Sequence, residues 1–199
     1  MPIELDQPGV GLRPPVVGAR GLGQTVVGMV ANKEMRARHD RDGNPMLNQR
    51  GRPAQEEVLT IIVMEGTTGT VSGGDHADDW TPQAGEICRM IFRGLGFGSL
   101  IEARRPVGPT RVGDIITVSA PTATIWRGAG DVSARDVDDQ AAIDRARAKG
   151  LSVGWDLHIG YRRHQPHELL LAAEAEEIWR QTRQAIDLDQ PAVVLDDAF

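Results

Sequence analysis

The chain has 199 residues, 40% hydrophobic and 25% charged, with a formal net charge of −6 and a pI near 5.4. That balance suits one globular domain with appendages, or two small ones, and supplies enough apolar residues for a real core. No apolar run approaches the ~20 residues of a membrane span, the opening MPIELDQPGV lacks the basic and apolar regions of a secretory leader, and the single Cys88 excludes an internal disulfide, so a cytoplasmic protein is expected.

Residues 1–23 hold Pro2, Pro8, Pro14 and Pro15 among several glycines and show no apolar period, which predicts a flexible arm. From Gln24 the Val-rich TVVGMVANKEMRAR predicts a strand that leaves the core and ends in solvent. HDRDGNPMLNQRGRPAQ carries Asp42-Gly43 and Asn44-Pro45 turn signals and predicts a long hairpin tip. EEVLTIIVMEG is the returning, buried strand, and TTGTVSGGDHADD is a loop. ICRMIFR alternates as a short strand, with a helix as the alternative, and SLIEARR predicts a short helix stopped by Pro106. VGDIITVSAPTATIW returns to β, with a bend or edge at Pro121.

DVDDQAAIDRARAKG predicts an exposed helix with acid first, base last and Gly150 as its stop. WDLHIGYRR alternates again, with Trp155, Leu157, Ile159 and Tyr161 on one face. Pro166 opens a helix over residues 166–187 bearing Leu169, Leu170, Ala173, Ile178 and Ile186, and an acidic tail, 188–199, follows.

The net charge argues against nucleic acid as a partner, but its distribution does not. Lys33, Arg36, Arg38, Arg41, Arg50 and Arg52 crowd into the hairpin against Glu34, Asp40 and Asp42. Arg89, Arg93, Arg104, Arg105 and Arg111 form a second basic stretch, and acid collects at 131–140, in EAEEIW and in the tail.

Five strands with a short helix between the third and fourth give a mainly β, α+β chain in the order of an OB-fold, a partly open five-stranded barrel. It spans residues 24–165, with a helical insertion before strand 5 and a C-terminal helix. In that architecture the first hairpin and the connection between strands 4 and 5 border the ligand face. Here the hairpin holds the densest basic cluster, and the second connection holds Trp126 and Arg127.

Coating a single strand requires cations for phosphates and aromatic faces for bases. With four Trp, three Phe and one Tyr in the chain, the candidate aromatics are Trp80, Phe97, Trp126 and Tyr161, the last two beside Arg127 and beside Arg162 and Arg163. Phe92 and Trp155 read as core, and Trp179 as packing or a subunit contact. The glycines of GARGLG and GLGFG lack a dinucleotide fingerprint or a P-loop lysine and read as flexible loops. DRDGN lacks the remaining calcium ligands, His158, His164 and His167 lack metal-ligand spacing, and no catalytic Ser or Cys context occurs. No enzyme activity, cofactor or metal is expected.

The stretch from FRGLGFGSLIEARR to VGDIITV and the closing LDDAF resemble bacterial and phage single-stranded DNA-binding proteins, the former in the version carried by actinobacterial phages. The resemblance covers residues 24–163 and the last few, with Ala198 where the family has proline. It implies binding of single-stranded DNA in replication, recombination and repair, a homo-oligomer, and an acidic tip that docks on partner proteins through Phe199, with Asp196 and Asp197 as its charged collar. Two other functions fit the same elements: an OB-like virion or assembly protein, and a strand-annealing recombination mediator.

Overall fold

A computed structural model describes residues 14–40, 42–48, 50–72, 80–128 and 135–189, with side chains up to residue 181. The fold is mixed α+β and mostly β. Its long strands are β2 (Thr25–Ala37), β3 (Gln55–Val63), β5 (Ile87–Arg93), β6 (Ile115–Trp126) and β8 (Ser152–Arg162). Three-residue strands β1 (Val16–Gly18), β4 (Thr70–Ser72) and β7 (Arg135–Val137) flank them. The helices are α1 (Gly94–Arg104), α2 (Gln140–Ala148) and α3 (Leu169–Asp189). Among the described residues no helix is long and apolar enough to cross a membrane.

One curled sheet runs β4-β1-β5-β3-β2-β6-β7, with β8 also on β6. Among the described residues only the β1–β5 contact is parallel. Two register shifts bend the sheet, one in β2 between Val30 and Asn32 and one in β6 between Ser119 and Thr122. An extra residue on one strand adds local twist and a kink. Pro121, expected to mark a bend or an edge, lies within the second shift.

The curl encloses the main core. Val26, Val30, Leu59, Ile61, Cys88, Met90, Phe92, Ile116 and Val118 point inward, and α1 plugs the space with Leu100. Alternate residues of β8, from Trp155 to Tyr161, pack against this cluster, the face that strict alternation dictates. A second core lies outside the curl, where Ala172 and Ala175 of α3 meet Met29, Ala31, Ile62 and Ile115. Sheet residues of opposite parity thus have separate destinations, which is why β2 and β3 read as continuous apolar runs.

Several expectations change. Residues 16–18 of the expected arm form β1, joined to β4 and β5, and part of the Thr/Ser/Gly loop forms β4; strands this short leave no period to detect. The GLGFG stretch, expected as a loop, opens α1, because burying Leu100 and packing Phe97 on the core outweighs the poor helix propensity of glycine. On α3 the sheet-facing stripe is Leu171, Ala172, Ala175 and Ile178, while Leu169, Leu170 and Ala173 are exposed. The helix begins after a 3₁₀ turn, Pro166–Glu168, whose capping box joins Gln165 and Glu168. α2 forms as expected, with Asp139 accepting from the Ala141 amide at 3.0 Å.

The hairpin between β2 and β3 ends in two consecutive turns. Asp40 Oδ1 accepts the amides of Asp42 and Asn44, and Asn48 Oδ1 accepts those of Arg50 and Arg52. Gly43 and Gly51 take φ of 84° and 70°, the left-handed conformation both turns require. Bridges His39–Pro45 and Leu47–Pro53 close them. The chain therefore repeats itself, HDRDGNPM at 39–46 and LNQRGRPA at 47–54.

Candidate nucleic-acid interface

Two depressions lie near the base of the hairpin. One, of about 430 Å³, is lined by Arg36, Ala37, Arg38, His39, Glu56 and Arg93. The other, of about 560 Å³, opens between β5 and β8 and is floored by Met90, Phe92, Val118 and Leu157, with Trp155, Arg20 and Arg93 around it. Arg93 lines both, so they share a wall. Volumes of this size suit small organic groups.

The sequence explains the groove. β8 pairs only with β6 among the described residues, so the seam between β5 and β8 is made of side chains. Residues 16–20, on and after β1, border that seam, and Arg20 Nη1 donates to Ser72 Oγ of β4. Met90, Phe92 and Val118 belong to the buried core beneath the groove, and half-buried Leu157 and Trp155 of β8 carry apolar surface at its wall.

The expected cations divide by what they touch. Arg93 donates to Glu56 at 2.6 Å across the β3–β5 ladder, and Arg36 Nε lies 3.0 Å from the other Glu56 oxygen. That second contact is ionic and lacks hydrogen-bond alignment, leaving the buried Arg36 Nε–H without an acceptor. Arg93 remains half-exposed, at 53% of its side-chain surface, so Glu56 holds two guanidiniums at the groove wall while Arg93 stays accessible. Arg38, Arg50 and Arg52 form no ion pair among the described residues, and the last two are exposed on the second turn. Arg41 lies outside the described residues.

Other basic candidates serve the fold. Glu57 is 0% exposed. It accepts from Arg104 at 2.6 and 2.8 Å and lies 3.8 Å from Lys33 Nζ, and Arg104 also bonds Thr110. Arg163 donates to both oxygens of buried Asp114 at 2.6 Å and to the carbonyls of Val107 and Pro109. Arg162 forms a bidentate pair with buried Glu168 at 2.8 and 2.7 Å. Arg105 makes only a surface pair with Glu102. Buried carboxylates need such partners, since an unpaired one would be too costly to ionise.

Titration directions agree with these contacts. The hydrogen bond from Arg162 holds the Glu168 carboxyl at about 2 against an ordinary 4.5, despite burial. Burial pushes the Tyr161 phenol up, and its 2.8 Å bond to Asp114 Oδ2 works in the same direction. Burial, with a smaller contribution from Glu86, pushes the Cys88 thiol up to about 12, so it is a packing residue.

Of the expected aromatics, Trp80, Phe97 and Tyr161 pack against the main core, with Trp80 bridged to Val71. Trp126 lies close over Gly154, where a Cβ would meet its ring at 2.7 Å, and neither it nor Arg127 lines the depressions. Trp155, expected in the core, is half-buried and lines the larger groove. His39 and Arg20 are groove residues that the sequence does not single out, and Trp155 reads there as core alone. The signal for Trp155 was its position at the start of the inward run of β8, where packing gives way to the seam. Among the described residues no cluster of three or more His, Cys, Asp or Glu side chains could hold a metal ion. The tip residues Asp196, Asp197 and Phe199 lie outside the described residues. Comparison with family models, curated proteins and solved structures finds no match for this chain.

Proposed function

We propose that the chain binds and protects single-stranded DNA without strong sequence preference, during replication and recombination in a bacterial or phage-infected cytoplasm. In this reading β2, β3, β5, β6 and β8 are the five strands of an OB-fold. Their order across the sheet, β5-β3-β2-β6-β8, with α1 between the third and fourth in sequence, supports it. The observation that carries the function is the pair of depressions meeting at Arg93: an apolar floor with a tryptophan beside it, and Arg20, Arg36, Arg38 and Arg93 around it. Stacked bases and paired phosphates require that combination. The protein needs no cofactor and catalyses nothing. It acts as a homo-oligomer, and Asp196, Asp197 and Phe199 recruit replication or repair proteins.

The test is a titration of tryptophan fluorescence with oligo(dT) at several salt concentrations, against duplex of equal length. The expected result is quenching by the single strand, weak duplex binding, and a log–log salt slope of about −0.7 per phosphate neutralised. No binding at low salt would refute the reading and favour an assembly protein. Removing residues 193–199 should leave DNA affinity unchanged or slightly raised, because the side-chain charges lost, Asp196 and Asp197, are acidic; a large fall in affinity would assign the tip to the DNA site instead.

A further inference from the structure

Trp155 packs part of its ring on the main core and lines the larger groove. The guanidinium carbon of Arg147 lies 5.5 Å from its ring centroid, within the range of cation–π attraction. Arg147 is exposed and belongs to the last turn of α2, which packs on β8. Its helix neighbour Arg145 pairs with Asp139 at 3.6 Å, whereas Arg147 makes no ion pair among the described residues. A nucleobase stacked on the face that Arg147 overlies would have to displace the guanidinium.

We propose that Trp155 is a stacking platform for an unstacked nucleobase, and that Arg147 covers this platform in the free protein and leaves it when a base arrives. The proposal rests on the single-strand reading above and adds a base subsite to it. Half-buried Leu157 gives the base an apolar neighbour above the buried Met90 and Phe92, and Arg20 and Arg93 stand where its phosphates would run. Until then a flat, weakly hydrated cation keeps water off the indole. Once displaced, the same cation is free to meet a phosphate, so one residue shields the empty platform and neutralises the occupied one.

The experiment compares the affinity of labelled oligo(dT) with that of an abasic oligomer of equal length, at several salt concentrations, for the full chain and for Trp155→Leu, Trp155→Phe and Arg147→Ala. One stacked base is worth roughly 5- to 150-fold in affinity. Trp155→Leu should remove a factor of about that size from the preference for oligo(dT) and leave the salt slope unchanged. Trp155→Phe, which keeps the ring packed, should retain part of the preference. Arg147→Ala, on an exposed helix face, should keep or enlarge it while the slope becomes shallower by about 0.7. A preference unaltered by Trp155→Leu, or lost in Arg147→Ala, overturns the platform while the coating function stands. Failure of the unaltered chain to bind either oligomer overturns both.

Discussion

Glu57 shows how little a residue's charge reveals without its partner. It is enclosed between Arg104 and Lys33, and both cations look like DNA contacts in sequence. Arg104→Met would leave a buried carboxylate without its main partner, a loss of about 3–5 kcal/mol. In a urea titration the midpoint should fall accordingly, while under the proposed function the salt slope of oligo(dT) binding stays as it was. A shallower slope with an unmoved midpoint would place Arg104 on DNA. Glu168 makes a pH prediction. Its carboxyl is held at about 2 by Arg162, against 4.5 unfolded, so the native state binds the proton less readily. The stabilisation is complete above about 4.5 and is lost as pH falls toward about 2. Unfolding midpoints measured across that window should fall less in Glu168→Gln than in the parent chain.

At the scale of elements the hairpin is the most informative piece. Its two turns share one hydrogen-bonding scheme, yet the first carries Asp40 and Asp42 and the second Arg50 and Arg52. Each unit returns the chain to the same ladder position, since the Arg38 amide bonds the Ala54 carbonyl and the Met46 amide bonds the Arg38 carbonyl. Deleting 39–46 or 47–54 should therefore leave the thermal midpoint of unfolding nearly unchanged, because loop length itself costs little. Affinity for oligo(dT) should survive loss of the acidic unit and fall with loss of the basic one; equal effects would remove the hairpin from the binding surface. The sequence made the hairpin legible through its turn residues, and α2 and the β8 alternation through their periods. It did not reveal which hairpin cations remain available, because the carboxylates that claim Lys33 and Arg36 sit on the returning strand, at Glu57 and Glu56, beyond the segment whose charges are counted locally. Trp155 reads as core alone for a related reason. Alternation assigns it to the inner face, but only the arrangement of β5 and β8 determines that this part of the inner face is open.

Across the whole molecule the five long strands and three helices were readable in order, and the three short strands were not. The two-sided burial of β2 and β3 adds a dependence that no single element displays. Met29, Ala31, Ile62 and Ile115 are covered by α3, so the curled sheet cannot be isolated simply by cutting before Pro166. A chain ending at residue 165 should aggregate, whereas one ending at 189 should remain dispersed, as light scattering at equal concentration would show. Ala175 lies fully buried at this contact. Ala175→Leu should overpack it and cost about 1–3 kcal/mol, measured by chemical denaturation. An unchanged midpoint would mean that α3 is loosely attached.

The unlaced seam beside β8 has a further consequence, in the chemistry of its backbone amides. Alternate N–H groups of a strand point to opposite neighbours, and among the described residues β8 has a ladder partner on one side only. Deuterium should therefore enter β8 as a sawtooth, slow at amides bonded to β6 and fast at those between them, while β3, paired on both sides, exchanges slowly throughout. A strand laid along the groove would flatten the teeth where it covers the seam, giving its footprint residue by residue.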